Sequence, residues 1–266
     1  MQSRLVAFGL FVCLLSGSPG PWANEDQSGQ QAFVAIIVDD LGHNLMRGER
    51  AISLPTPVTV AMIPQARHST ELARRAAIAG HEVMIHMPMA SVYGRPLEAG
   101  SLFPDMPRQD LIRILDEAFA RVPNARGLNN HMGSLLTTRT LEMGWLMEEI
   151  KRRELFFIDS RTTTETVARR IASEHSVQTS SRDIFLDNEP SFEAIDAEFE
   201  RLIDTAIKRG TAIAIGHPHP ATLAYLEQKL PGLSERGIRV VPVSHAIKLQ
   251  RILAARTSPA ASVATD

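Results

Sequence analysis

Short apolar runs recur along this chain at Phe33–Val38, Val58–Ile63, Glu82–His86, Phe156–Ile158, Ile184–Leu186, Thr211–Ile215 and Ile238–Val243, with a weaker one at Arg126–Asn129. Runs such as Val34-Ala35-Ile36-Ile37-Val38 and Ala212-Ile213-Ala214-Ile215 have no polar face, the pattern of strands covered on both sides. Stretches with helical character follow them, at Ser69–Ala79, Gln109–Arg121, Leu141–Arg153, Ser191–Lys208 and Ala246–Ala255. Strands alternating with helices predict parallel pairing through helical crossovers. With seven or eight such units, the expected fold is α/β, a deformed (β/α) barrel of parallel strands rather than an open doubly wound sheet.

The 266 residues match the about 250 that a single barrel of this kind takes. One domain is expected over residues 32–256. A composition of 44% hydrophobic and 22% charged residues excludes a mainly disordered, collagenous or coiled-coil chain. Net charge is -2 and no long basic run is present, which argues against a general nucleic-acid binder.

Residues 1–23 read as a secretory signal. Arg4 precedes the apolar run Leu5–Leu15, and Ser16-Gly17-Ser18-Pro19-Gly20-Pro21-Trp22-Ala23 follows it. Cys13 is the sole cysteine and falls inside that run, without the small residues that precede the cysteine of a lipoprotein signal. Cleavage removes it, so the exported chain has no disulfide. Beyond Pro21 no apolar stretch is long enough to cross a bilayer. The mature protein is therefore expected to be exported, to the periplasm first and to the medium second. Residues 24–31 read as a polar linker and 257–266 as a disordered tail.

Reactive groups in parallel α/β folds gather where strands end. Here the runs end in Asp39-Asp40-Leu41-Gly42, His86-Met87-Pro88, Asn129-Asn130-His131, Asp159-Ser160-Arg161 and Gly216-His217-Pro218-His219. Adjacent carboxylates face one cavity only if the backbone leaves the strand between them, a departure that Leu41-Gly42 permits. One carboxylate can then ligate a divalent cation while the other takes a proton from water. His86 and His131 are the imidazoles to join Asp40, giving three protein ligands and an open position. His217 suits a general acid, because imidazole titrates near neutrality. Asn129 and Asn130 are expected to orient the ligands or bind substrate, and Asp159 to fix a histidine or contact substrate with Arg161 nearby. His43, His68 and His245 are further candidates for the same face, whereas His219 reads as part of a proline-rich turn and His175 as a surface group.

His81 and His86 are five residues apart on a strand-like run, which excludes the helical zinc-protease motif with its four-residue spacing. No nucleophile elbow, P-loop, dinucleotide fingerprint or calcium loop is present. The long connection Ala90–Arg108, bearing Gly and Pro, is expected to be a wall or lid.

Taken together these motifs resemble the divergent polysaccharide deacetylases, a branch of the NodB-homology carbohydrate esterases, over about Phe33 to Leu249. Val38-Asp39-Asp40-Leu41-Gly42 is similar to that superfamily's first motif, which implies Asp39 as base and Asp40 as metal ligand. Gly80–His86 resembles the segment carrying the first metal histidine, and Asn129–Ser134 the signature of the divergent branch. Phe157–Ser160 and Ile215–Pro218 resemble the later motifs, the second supplying His217 as acid. The superfamily's second metal histidine falls at Ala90 here, so the resemblance requires His131 in its place. Its Arg-x-Pro-Tyr stretch is not recognisable.

The resemblance implies an exported metal-dependent hydrolase that removes N-acetyl or similar acyl groups from an envelope or extracellular carbohydrate. Its cofactor is a divalent metal, zinc first, and its partner a carbohydrate substrate. The alternative from another class is a catalytically silent glycan-binding or regulatory envelope protein on the same barrel. A hydrolase acting on another bond, such as an ester, is the third reading.

Overall fold

At the centre of the sheet lies β1 (Ala32–Leu41), with β8 (Thr211–Gly216) along one edge and β2 (Thr59–Met62) along the other. The computed structural model describes residues 31–257 except 56, 95, 96 and 98. The expected signal, most of the expected linker and the tail beyond residue 257 lie outside the described residues.

The remaining strands are β3 (Glu82–Met89), β4 (Ala125–Met132), β5 (Phe156–Asp159), β6 (Gln178–Ser181), β7 (Ile184–Phe185) and β9 (Ile238–Val240). Their order is β6-β5-β4-β3-β2-β1-β8-β7, with β9 on the first residues of β1, and every pairing is parallel. The two outermost strands, β6 and β7, are joined only by Arg182 and Asp183. Arg182 N donates to Asp159 O at 3.0 Å and Asp183 N to Ile213 O at 2.9 Å. One stretch of chain thus passes from the β5 edge to the β8 edge and draws the sheet into the expected deformed barrel.

Alternation along β1 sorts side chains into two layers. Val34, Ile36 and Val38 face outward into a large cluster. They meet Leu72 of α2 (Ser69–Ile78), Leu115 of α3 (Arg108–Arg121), Leu146 of α4 (Thr140–Arg152) and Phe199 of α6 (Phe192–Arg209) in that cluster. Ala35 and Ile37 face inward with Ala61, Met84, Phe156, Ile158, Ile213 and Ile215. Val243, Ala246 and Ile247 of α8 (Val243–Thr257) complete this inner cluster. Both layers exclude water, so these strands carry apolar residues on both faces, each buried Ile or Leu contributing about 1.5–3 kcal/mol.

Every apolar run contributes a strand, the last only as far as Val240, and all five expected helices form. β6, α1 (Leu45–Ile52), α5 (Ala168–Glu174) and α7 (Pro220–Lys229) form beyond those expected. The long connection after β3 also departs from expectation. Its Leu102 N donates to Pro88 O and its Ala90 N to Leu102 O, both at 2.9 Å, so it folds back on β3. None of its described residues lines the main cavity. Among the described residues no helix is long and apolar enough to cross a membrane.

Candidate metal centre and catalytic groups

The inward rows of the barrel change character one step past their last apolar residue. Ala35 and Ile37 are succeeded by Asp39, Met84 by His86, and Ile213 and Ile215 by His217. The register places Ile37 opposite Ile215 and His86 opposite Asn129, with His131 two residues further along β4. A cavity of about 710 Å³ opens there, lined among others by Asp39, Asp40, His86, Asn130, His131, Arg161 and His217.

Asp40 is where β1 departs from regular strand geometry. Its φ is +56°, Gly42 follows at +121°, and the pairing with β2 shifts register between Val38 and Leu41. A left-handed non-glycine residue costs about 1–3 kcal/mol and persists where surroundings enforce it. The departure begins at Asp40 itself, one residue before the expected Leu41-Gly42, and brings both carboxylates to the cavity.

Three potential ligand atoms converge. Asp40 Oδ1 lies 3.1 Å from His86 Nε2 and 2.9 Å from His131 Nδ1, and those two nitrogens are 3.0 Å apart. Asp40 Oδ1 is buried yet takes no well-directed hydrogen bond. His86 Nδ1 faces Asn129 Oδ1 at 2.7 Å; an amide oxygen cannot donate, so Nδ1 carries the proton and Nε2 turns a lone pair to the cluster. A carboxylate and two imidazoles with an orphaned buried oxygen between them fit a divalent cation of the zinc type, leaving an open position. Burial alone would raise the Asp40 carboxyl, but the His131 and His86 rings outweigh it and hold the group far below the ordinary carboxylate range.

Asp39 stands behind this group, only 1% exposed. Asn129 Nδ2 donates to its two oxygens at 2.9 and 3.0 Å, and His86 Nδ1 is 3.5 Å away. Burial raises its pKa, against the nearby His86 and His217 charges and the Asn129 hydrogen bond. A buried carboxylate with a raised pKa is a stronger base than a solvated one.

His217 is held by a residue absent from the sequence reading. Its Nδ1 lies 2.9 Å from Asp187 Oδ1, and its backbone N–H donates to Asp187 Oδ2 at 2.6 Å. Thr222 Oγ1 donates to the same Oδ2 at 2.8 Å. Asp187 fixes the ring so that Nε2 points toward the cavity, 4.0 Å from Asp40 Oδ2. Burial disfavours the charged ring, but the Asp187 hydrogen bond and charge, with Asp39 and Asp40 behind them, push its pKa up to about 9. A signal for Asp187 was present, since it directly follows the run Ile184–Leu186 and so ends a strand in an acid.

Other candidates take different places. Asn130 joins strand ends, donating from Nδ2 to Met132 O at 2.7 Å and accepting at Oδ1 from Ser160 N at 2.9 Å. Asp159 does not line the cavity; it accepts from Arg161 N at 2.9 Å and Thr166 Oγ1 at 3.0 Å and so braces the loop that carries Arg161. Arg161, with φ +52°, lines the cavity. His219 sits beside His217, ring centroids 5.9 Å apart. His245 stacks against Phe33 at the opposite end of β1 from Asp39, which corrects its expected place. His43 and His68 do not line the cavity. His81 is buried, with Nε2 2.8 Å from Ile52 O, at the start of β3 and remote from the cluster.

Known proteins resemble this chain in sequence and in fold. The sequence profile of divergent polysaccharide deacetylases matches residues 36–247. The chain is 40% identical over 200 residues to the uncharacterized protein YibQ of Escherichia coli K12, covering 75% of this chain and 63% of that protein. It therefore spans less than two thirds of that relative's length. A crystal structure of the uncharacterized protein ATU2773 of Agrobacterium tumefaciens C58 superposes with a TM-score of 0.78 at 24% identity, covering 85% of this chain and 91% of that one. The peptidoglycan deacetylase PdaC of Bacillus subtilis shares the fold with a TM-score of 0.51 at 12% identity, covering 85% and 96% of the two chains.

Proposed function

The chain belongs to the divergent polysaccharide deacetylase family, and on that premise we propose that it is an exported metal-dependent hydrolase removing N-acetyl groups from an envelope carbohydrate. The observation that carries this reading is the convergence of Asp40, His86 and His131 with Asp39 and His217 at one cavity. Asp40, His86 and His131 would hold the cation, and zinc is favoured by two imidazoles and one carboxylate. When bound, the cation supplies Lewis-acid polarisation of the acyl carbonyl and acidifies water.

The remaining work falls to side chains. Asp39 removes a proton from the water that attacks the acetamide carbon. Asn129 keeps Asp39 and His86 in register with one another. As the carbon–nitrogen bond breaks, His217 delivers a proton from Nε2 to the departing amine, and Asp187 holds the ring for that transfer. Acetate and a free amino sugar leave.

Acetate release from N-acetylated chito-oligosaccharides and from peptidoglycan, by protein loaded with zinc, tests the reading. Release that disappears on replacing Asp39 supports it. Binding of either glycan with no release from any of them assigns the protein to the silent glycan-binding class instead.

A further inference from the structure

One wall of the cavity carries charge that hydrolysis of a neutral acetamide does not use. Arg161 and Arg182 line it, together with Phe185. Arg182 is locked in place: Nε donates to Ser160 O at 2.8 Å, Nη2 donates to Arg161 O at 3.1 Å, and the guanidinium lies 4.9 Å from the Phe185 ring centre. Neither arginine forms an ion pair with Asp or Glu among the described residues.

The other charges on this wall are already balanced. Asp183 accepts from Ile213 N at 2.9 Å and meets Arg209 at 3.3 Å, and Arg201 pairs with Glu198 at 2.6 Å. Asp159 and Asp39, the other acids near Arg182, act on it only at a distance, their oxygens accepting hydrogen bonds from Thr166 and Asn129. Burial and the neighbouring Arg161 charge lower the Arg182 pKa, against the charges of Asp159, Asp39 and Asp183 nearby, none of which pairs directly with its guanidinium. Partly burying a guanidinium is costly unless it is paired, and its planar fork matches carboxylate and phosphate oxygens.

We infer that Arg161 and Arg182 form a subsite for an acidic group, carboxylate or phosphate, carried by the acylated sugar whose amide is hydrolysed. This rests on the proposed hydrolase reading for the identity of the sugar. The acidic group anchors on the β5–β6 wall while the amide lies over Asp39 and His217. Selection among acylated sugars is then made by charge at a distance from the reacting bond.

The test compares N-acetylmuramic acid, N-acetylglucosamine 6-phosphate and neutral N-acetylglucosamine on metal-loaded protein. Affinities are measured in an Asp39→Asn background so that no sugar is consumed, and acetate release is measured separately with the wild type. At least one acidic sugar is expected to bind about tenfold or more tightly than the neutral one, an advantage that shrinks with added salt. Whichever acidic sugar is preferred identifies the source of the charge. Arg161→Asn, which keeps a residue tolerant of positive φ, is expected to erase most of that advantage while leaving the thermal midpoint unchanged. Arg182→Lys keeps the charge, loses the fork and is expected to retain only part of it. Equal affinity for all three sugars, or an acidic preference untouched by Arg161→Asn, overturns the subsite. Acidic preference without acetate release from these sugars, from chito-oligosaccharides or from peptidoglycan leaves the subsite standing and overturns only the hydrolase.

Discussion

Asp187 Oδ1 stands 2.9 Å from Nδ1 of His217, so a buried carboxylate fixes both the orientation and the charge of the proposed acid. The His217 pKa is raised from 6.5 to about 9, and the proton it must donate is present at neutral pH. Activity is expected to fall as pH rises through about 9. In Asp187→Asn the anion is gone, so that alkaline limb should move down toward the ordinary imidazole value, with turnover at pH 7 reduced about 10²–10⁴-fold. A raised folded-state pKa also stabilises the fold below about pH 6.5, a contribution lost as pH rises through 9. A pH–rate profile of the two proteins checks the shift, and an unmoved limb would show that His217 is not the acid.

Asp39→Asn is expected to abolish turnover while one equivalent of metal remains bound. The carboxylate faces Asn129 and lies behind the three converging ligand atoms, so its replacement removes the base and not the ligand set. Elemental analysis beside acetate release separates the roles. Metal lost together with activity would make Asp39 a ligand.

The strands were legible because water is excluded from both of their faces, which writes apolar runs into the sequence. β6 escaped for the opposite reason: Gln178-Thr179-Ser180-Ser181 carries hydroxyls, and Ser180 is buried because its Oγ donates to Gln250 Oε1 at 2.7 Å. α7 was hidden by His217-Pro218-His219-Pro220, which reads as a turn although Pro220 occupies the first helical turn, where proline is favoured. In the site, Asp39, Asp40, His86, His131 and His217 were visible as charged ends of apolar runs. The double role of Asn129, bonded to Asp39 and to His86, was not, because it depends on the β3–β4 register. Asp159 shares the strand-end signal but spends its carboxylate on a loop amide and a hydroxyl, so position on a strand does not by itself decide direction.

Asn129→Ala is expected to weaken metal binding about 10–100-fold, the usual loss when a group orienting a metal-bound histidine is removed. It also removes the one amide nitrogen that donates to both oxygens of a buried carboxylate, costing about 1–3 kcal/mol of stability. Metal titration and urea unfolding of metal-free protein check the two effects. Unchanged metal affinity would show that Asn129 serves the fold alone.

His131→Ala and Asp40→Ala should each reduce bound metal from one equivalent to near zero. Wild-type protein should lose thermal stability on chelation and regain it with zinc, by about 2.7 kcal/mol at a free concentration one hundred times Kd. The two variants should show no such recovery. Retained stoichiometry in His131→Ala would mean that Asp40 and His86 suffice.

Gly42→Ala probes whether the backbone departure from β1 sets the metal site. At φ +121° an alanine is strained, and its Cβ would lie 2.0 Å from Ser69 Oγ and 2.8 Å from Ala66 Cβ. Ser69 Oγ donates to Ile63 O at 2.5 Å, so moving it also sacrifices a buried hydrogen bond. Strain of about 1–3 kcal/mol and a hydrogen bond of about 1 kcal/mol together predict a loss of about 2–4 kcal/mol. Because Asp40 lies two residues upstream with φ +56°, the same change should displace its carboxylate and weaken metal binding. Urea midpoints and metal affinity are expected to fall together. If stability drops while affinity holds, the surrounding imidazoles position Asp40, and the turn serves only to return the chain to α1.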